Sequence, residues 1–262
     1  MPNIITLTTD FGTGSPYVAT MKGVILSLNP AVMIVDISHA VGAQDVARGA
    51  LVLEDTTPWF PDGTIHVAVV DPGVGTARSI LYARIGSQQY IAPDNGLLGR
   101  LMARAKPSMV LRLTEQEYWL AEVSHTFHGR DIMAPVAARL SLGLDPRRLG
   151  PAAGQLDQLD LPLPQVVEEK VRGEVISIDS FGNLITNIAY DLLAGKPNDS
   201  RACVVCGIYE TFGIYHTYGE QAPGMLVALI GSAGRLELAI VGDNAAARMG
   251  VSIGTPVVVA WE

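Results

Sequence analysis

The residues of this chain best suited to chemistry are acids and bases that follow short apolar segments or lie in loops. They are Asp10, Asp36, His39, Asp71, Arg78, His125 and His128. A carboxylate, a guanidinium and an imidazole that meet in one cleft can bind a polar ligand or move a proton. A plainer interpretation exists for Asp71 and Arg78, in which the first caps its own turn and the second forms a surface ion pair. Both interpretations remain open at this point.

Asp71 follows an apolar, β-branched run at 65–70, which is typical of a strand buried on both faces. Pro72 and the glycines after it predict that the strand stops here. In open α/β sheets the ligand lies at the carboxyl ends of the strands. Asp10 also follows a predicted strand, so we expect Asp10 and Asp71 to face one cleft.

Two further groups are candidates for ligand binding. His125 and His128 lie three residues apart in a glycine-bearing loop before a predicted helix, and 179–183 (Asp-Ser-Phe-Gly-Asn) is a turn at a strand end. The plainer interpretation of that turn is an Asx-turn that bonds only to itself. His66, within a strand, is expected to be structural.

Several motifs of known chemistry are missing from the sequence. There is no G-x-G-x-x-G after the first strand, no P-loop and no G-x-S-x-G, and no His/Asp spacing indicates a metal site. Cys203 and Cys206 form a lone C-x-x-C in a strand-like run, which predicts buried thiols rather than zinc ligands.

Composition bounds the class of protein. The chain has 262 residues, of which 48% are hydrophobic and 17% charged, so it can bury a large core. Its 26 acidic and 18 basic residues give a net charge of −8 without a Lys/Arg cluster, which argues against nucleic-acid binding. No signal peptide or membrane span is recognisable, so we expect a soluble cytoplasmic protein.

The pattern of apolar segments predicts an α/β fold with two domains. Strands are predicted at 4–9, 32–35, 65–70, 79–85, 88–92, 109–113 and 118–121, and helices at 17–28, 45–56, 97–105 and 132–142. This alternation indicates an N-terminal domain, 1–150, with a mainly parallel sheet flanked by helices. A Pro-containing linker is predicted at 151–168. The remainder, 169–262, is predicted to form a smaller antiparallel β-barrel-like domain, with strands at 171–178, 184–188, 202–208, 225–230, 235–241 and 256–261.

The residues alone stop short of a reaction, but several ordered motifs resemble one family. These are 9–12 (TDFG), 21–25 (MKGVI), 36–39 (DISH), 69–76 (VVDPGVGT), 93–97 (PDNGL), 126–131 (TFHGRD), 179–187 (DSFGNLITN) and 236–239 (LELA). Together they resemble the S-adenosylmethionine hydroxide adenosyltransferases, which are relatives of the fluorinases and chlorinases. The resemblance covers nearly the whole chain and implies hydrolysis of S-adenosylmethionine to adenosine and methionine.

The resemblance also implies roles for individual residues. Asp71, Arg78 and His128 correspond to the catalytic residues, which supply and orient a hydroxide-like nucleophile for attack on ribose C5′. The implied substrate contacts are Asp10 to the ribose, Asp179 and Ser232 to the amino acid end, Asn183 to the adenine, and the backbone near Asn244 and Ala245. No cofactor or metal is implied. The family forms homotrimers in which the site lies between the first domain of one subunit and the second domain of its neighbour.

Two alternatives remain, namely a halide-dependent adenosyl transferase and a binding protein without turnover. The halogenating relatives carry Tyr at the position of Asp71, and their fluorinating branch carries Ser at that of Gly129, so this sequence favours water. It departs from the family pattern at Ser15, Ser79 and 241–244.

Overall fold

The computed structural model describes residues 4–261, and the chain divides into two compact units, one ending at Asp160 and one beginning at Leu161. Within the described residues no helix is both long and apolar enough to cross a membrane.

The first unit is a six-stranded sheet with helices. Its strands are β1 (Ile4–Thr9), β2 (Met33–Ser38), β3 (Ile65–Val69), β4 (Ile80–Ile85), β5 (Gln88–Pro93) and β6 (Met109–Arg112). Its α-helices are α1 (Tyr17–Leu28), α2 (Val46–Thr56), α3 (Gly99–Arg104) and α4 (Ala134–Ser141). The strand order is β2-β1-β3-β5-β4-β6. The pairs β1–β2, β1–β3 and β3–β5 are parallel, and the hairpin β4–β5 and the edge pair β4–β6 are antiparallel.

Apolar side chains cover the sheet on both faces. Val67 and Val69 of β3 belong to the same core as α1 and α4, whereas Ala68 and Val70 belong to the core beside α2 and α3. The prediction that this strand is buried on both faces is therefore confirmed, and it explains why β3 is apolar without alternation.

The second unit consists mostly of antiparallel strands that curl into a nearly closed barrel. They are β7 (Gln165–Val167), β8 (Lys170–Ile178), β9 (Leu184–Ala189), β10 (Ala202–Cys206), β11 (Tyr209–Phe212), β12 (Ile214–Tyr215), β13 (Leu226–Ile230), β14 (Arg235–Ile240) and β15 (Pro256–Trp261), with one short helix, α5 (Ala245–Met249). The main path runs β11-β10-β15-β8-β9-β14-β13-β12. Thr211 Oγ1 donates to Leu226 O at 2.8 Å, which brings β11 at one end of this path against β13 near the other.

The predicted fold class is confirmed, but several predicted elements are wrong. Residues 118–121 do not form a strand, because a 3₁₀ turn ends at Tyr118 and irregular chain follows. The strand predicted at 32–35 is β2, which runs to Ser38 and is a partly exposed edge strand, although its apolar sequence is typical of a buried one. Strands β7, β11 and β12 and helix α5 were not predicted.

The segment predicted as a linker is partly integrated into the first unit. Arg112 N donates to Pro151 O, and Ala153 N donates to Val110 O, so 151–153 run beside β6. Asp157 N donates to Asp94 Oδ1 at 3.0 Å. The end of the predicted linker contains β7, which pairs with β8 in the second unit.

Candidate active site

Asp71 and Arg78 form a buried ion pair at the carboxyl end of β3. Arg78 Nε donates to Asp71 Oδ1 at 2.7 Å, and Arg78 Nη2 donates to Asp71 Oδ2. Only 4% of the Asp71 side chain and 8% of the Arg78 side chain are exposed. The interpretation of Arg78 as half of a surface ion pair is therefore wrong. The two-pronged contact fixes the plane of the carboxylate.

His128 completes the cluster from a different loop. Its Nδ1 lies 3.2 Å from Arg78 Nη2. A guanidinium only donates hydrogen bonds, so Nδ1 must be the acceptor and the neutral ring carries its proton on Nε2. Burial lowers the pKa of His128, and the charge of Arg78 lowers it further, which favours this neutral form.

Two close contacts hold the supporting loops in place. Gly75 has φ +77°, and a Cβ at this position would lie 2.2 Å from the carbonyl oxygen of His125. Only glycine fits there, so the loop that carries Arg78 can approach the loop that carries His128. Asn95 Nδ2 donates to Val70 O at 2.9 Å and anchors the chain just before Asp71.

Asp131 anchors the loop that carries His128. Its side chain is completely buried, accepts from Arg130 Nε at 2.5 Å, and accepts the backbone N–H of Ser124 at 2.8 Å. Gly129 is packed against Val69, whose Cγ atoms would lie 3.3 Å from an added Cβ. No role was predicted from the sequence for Asp131, Gly75 or Asn95, although all three lie within the family-like motifs.

Asp10 lies at the same edge of the sheet as Asp71. Thr9, the last residue of β1, is paired with Val69 of β3, so both aspartates follow the carboxyl ends of adjacent parallel strands. Asp10 Oδ2 accepts the backbone N–H of Gln44 at 2.8 Å. Within residues 4–261 no group of three or more His, Cys, Asp or Glu residues is placed to hold a metal ion.

In the second unit, the turn at 179–183 bonds to itself and to the start of α5. Asp179 Oδ1 accepts from Phe181 N and Asn183 N, and its Oδ2 accepts from Asn183 Nδ2. The Asx-turn interpretation of this segment is thus correct as regards its local bonding. Gly182 contacts Asn244 so closely that an added Cβ would lie 2.2 Å from its amide.

The remaining predicted substrate contacts of this unit differ in exposure. Ala245 is buried at the start of α5, and Ser232 is exposed in the turn between β13 and β14. The structure brings 179–183 together with the start of α5 at Asn244 and Ala245. One contact in this barrel was not predicted from the sequence: the exposed Tyr218 donates from its Oη to Oε1 of the buried Glu237 at 2.5 Å.

Cys206 is buried and Cys203 half-buried, as expected of residues in a strand. Burial raises the pKa of the Cys206 thiol to about 11, so this residue is a poor nucleophile at neutral pH.

Both units match domains of one known protein family. Residues 5–150 match the SAM hydroxide adenosyltransferase N-terminal domain, and residues 173–258 match the C-terminal domain. The chain belongs to the SAM hydroxide adenosyltransferase family.

Individual members and relatives agree with this placement. The chain is 39% identical over 253 residues to an (R)-S-adenosyl-L-methionine hydrolase of Salinispora tropica, covering 95% of each protein. It is 32% identical over 212 residues to a fluorinase of Actinoplanes sp., covering 71% of each. The crystal structure of an uncharacterized conserved protein from Thermotoga maritima matches with a TM-score of 0.93 and 34% identity, covering 98% of this chain and 99% of that one.

Proposed function

We propose that this protein hydrolyses S-adenosylmethionine to adenosine and methionine, with water attacking ribose C5′. The proposal rests on the cluster at the carboxyl edge of the first unit's sheet, in which the half-buried His128 joins the buried side chains of Asp71 and Arg78. Family membership supplies the substrate class, and the hydrolase of S. tropica is similar over 95% of both chains.

The proposed reaction needs no acid catalyst, but it does need a well-placed nucleophile. The leaving thioether departs from a sulfonium and is neutral, so no group has to protonate it. As the new C–O bond forms, the attacking water becomes strongly acidic, and a carboxylate held by arginine is then a sufficient base. Asp71 accepts that proton in our proposal, while the Nε2–H of His128 and the charge of Arg78 orient the oxygen and stabilise its developing hydroxide character.

A halide is a poorer fit to the same cluster. It must lose most of its hydration before attack, and the ionised Asp71 makes a desolvated anion costlier. Arg78 already binds both carboxylate oxygens, and Gly129 has no hydroxyl to replace the lost water. These residues favour hydrolysis over halide-dependent adenosyl transfer, and a complete cluster favours turnover over simple binding.

The proposal assigns the substrate contacts as the family resemblance implies. Asp10 binds the ribose hydroxyls, Asp179 and Ser232 bind the amino acid end, and Asn183 binds the adenine together with the backbone near Asn244 and Ala245. No cofactor takes part.

We further propose a homotrimer in which the first unit of one subunit and the second unit of its neighbour form one site. Asp10→Ala and Asp179→Ala would each be inactive alone, and their co-expression would restore partial activity, because some mixed trimers contain an intact site. Mixed oligomers without any restored activity would place the site within one chain.

A product assay tests the proposed reaction. The protein is incubated with each sulfonium epimer of S-adenosylmethionine, with and without high chloride or fluoride, and the nucleosides are separated by chromatography. We expect adenosine with at least one epimer and no 5′-halogenated nucleoside in any mixture. A 5′-halo-adenosine would replace the proposal with halide transfer, and tight adenosine binding without product would replace it with a binding function.

A further inference from the structure

Residues of three family-like motifs form a row of close polar contacts that has no role in the proposed reaction. Lys22 Nζ of α1 lies 2.5 Å from Asp36 Oδ2 of β2. Asp36 Oδ1 lies 3.1 Å from His39 Nε2, and His39 Nδ1 lies 2.9 Å from Thr9 Oγ1 at the end of β1.

The direction of these bonds is fixed at the Thr9 end. The backbone N–H of Phe11, which only donates, reaches Thr9 Oγ1 at 3.2 Å. Thr9 is completely buried, so its own hydroxyl proton needs an acceptor, and His39 Nδ1 is within reach. The ring then carries its proton on Nε2, facing the carboxylate of Asp36. Partial burial of Asp36 raises its pKa, but the close contacts of Lys22 and His39 lower it, and the lowering prevails. The contact between Asp36 and His39 is an ion-pair contact, because the buried Nε2 of His39 has no partner in hydrogen-bond geometry among the described residues.

The same segment that carries His39 also contacts the neighbours of Phe11. Gly12 N donates to the carbonyl oxygen of His39 at 2.8 Å, and Gln44 N donates to Asp10 Oδ2 at 2.8 Å. Asp10 and Gly12 thus bond directly to the segment after β2. Phe11 between them is connected to the same segment through Thr9. This is possible because β1 and β2 are parallel neighbours whose carboxyl ends lie side by side.

We propose that His39 is a positioning residue that acts through Thr9 to fix the direction in which Asp10 presents its carboxylate. The inference deepens the proposed function and depends on it for the ligand, since Asp10 is there the contact to the ribose hydroxyls. Lys22 and Asp36 hold the ring of His39 in the required orientation and tautomer.

A residue that positions a binding carboxylate has a recognisable kinetic signature. Its loss weakens substrate and transition state alike, so KM rises while kcat changes little. It also reduces the preference for a ligand that carries the ribose hydroxyls. Loss of one hydrogen bond of this kind corresponds to about a 3- to 10-fold change in affinity.

Paired variants separate the hydrogen bond from its surroundings. Thr9→Val removes the hydroxyl at nearly constant volume, whereas Thr9→Ser keeps it. Lys22→Met removes the contact of the partly exposed Lys22 with Asp36. Lys106→Met is its control, because Lys106 is an exposed lysine that takes no part in these contacts. Lys22→Met also covers the case in which Thr9→Val does not fold.

Three readouts are compared: hydrogen exchange of the amides of 10–12, KM and kcat for S-adenosylmethionine, and the Kd values of adenosine and 2′-deoxyadenosine. Thr9→Val and, to a smaller extent, Lys22→Met should exchange faster and show a KM raised about 3- to 10-fold. In both variants the ratio of the two Kd values should also be closer to one. Thr9→Ser should change each quantity less than Thr9→Val, and Lys106→Met should match the wild type.

Equal behaviour of Thr9→Val and Thr9→Ser in exchange and in the Kd ratio would overturn the inference, as would equal behaviour of Lys22→Met and Lys106→Met. The exchange and binding readouts need no turnover. If the wild type binds adenosine without hydrolysing S-adenosylmethionine, the proposed function fails, while the ordering of the variants still decides the role of His39.

Discussion

Arg78 is the residue through which the candidate catalytic groups are connected. It binds both oxygens of Asp71 and one nitrogen of His128, and, together with burial, its charge lowers the pKa of His128. A carboxylate that accepts and an Nε2–H that donates then flank the same space. This division of roles follows from the hydrogen-bond directions, since a guanidinium has no acceptor.

Removal of the carboxylate charge should abolish turnover with little effect on nucleoside binding. Asp71→Asn is expected to lower kcat by about 10²–10⁴-fold, because the proton acceptor is lost. His128→Ala should also lower it strongly, and both variants should keep a Kd for adenosine close to that of the wild type. Asp62→Asn, at an exposed aspartate before β3, is the matched control. Near-full turnover in Asp71→Asn would remove this residue from the mechanism.

The protonation state of His128 should appear in the pH profile. Burial and the charge of Arg78 lower its pKa below 6.5, so the ring is neutral at neutral pH and becomes charged only in more acidic solution. Protonation places a hydrogen on Nδ1 against the guanidinium and disrupts the cluster. We therefore expect kcat/KM to fall as pH decreases through a value below 6.5. The residual activity of His128→Asn should lack this limb, and an unchanged limb in that variant would assign it to another group.

At the scale of elements, loops after separate elements bring the candidate residues together. Asp71 and Arg78 flank one loop, and His128 belongs to another, which packs against Gly75. The approach of the two loops is therefore a property of backbone geometry as much as of side chains.

An alanine at Gly75 should separate Arg78 from His128. The added Cβ would lie 2.2 Å from the carbonyl oxygen of His125, so one loop has to move. Gly86→Ala is the control, because Gly86 also has positive φ (+57°) but open space around it. Both variants should lose about 1–2 kcal/mol of stability from the left-handed backbone, measured by denaturant unfolding. Only Gly75→Ala should lose more than about tenfold in kcat/KM, and an equal loss in both would contradict the role of the loop contact.

The elements that the sequence predicts well are those with a strong local signal. Helix α1 has the predicted bounds, since an apolar face runs from Tyr17 to Leu28 and Asn29-Pro30 follows it. The strand before Asp71 was also recognisable, because proline and glycine end an apolar β-branched run there.

The errors arise where tertiary contacts decide the structure. The segment 118–121 has the composition of a strand, but Leu120 N bonds to the carbonyl oxygen of Asp131 instead of joining the sheet. Strand β7 is exposed along its whole length, so it has no hydrophobic period to detect. The residue types likewise indicate Asp71, Arg78 and His128 as candidates. They do not indicate the anchoring by Asp131 or Asn95, since both side chains bond to the backbone, of Ser124 and Val70 respectively, and such bonds carry no side-chain signature at the partner residue.

At the scale of the molecule, the first unit also buries a histidine away from the candidate site. His66 of β3 is stacked on Tyr90 with ring centroids 5.0 Å apart, and its Nδ1 lies 2.7 Å from Thr6 Oγ1. Burial lowers its pKa to about 3. The expectation that His66 is structural agrees with these contacts.

His66 should make the protein less stable in acid. Its pKa is about 3 in the folded state and 6.5 in the unfolded chain, so the unfolded chain binds more protons between these values. The free energy of unfolding should therefore fall as pH decreases from 6.5 toward 3, by at most about 4 kcal/mol. Denaturant unfolding at pH 7 and pH 4 measures the change. His66→Gln should show a smaller decrease than the wild type, and His216→Gln, at an exposed histidine, should show the same decrease.

In the proposed reaction water is the nucleophile and attacks ribose C5′. The most direct test is turnover of S-adenosylmethionine in H₂¹⁸O, with mass spectrometry of both products. We predict one ¹⁸O in the 5′-hydroxyl of adenosine and none in methionine, and labelling that is about 10²–10⁴-fold slower with Asp71→Asn. Adenosine without ¹⁸O, or label in methionine alone, would contradict the attack of water on C5′.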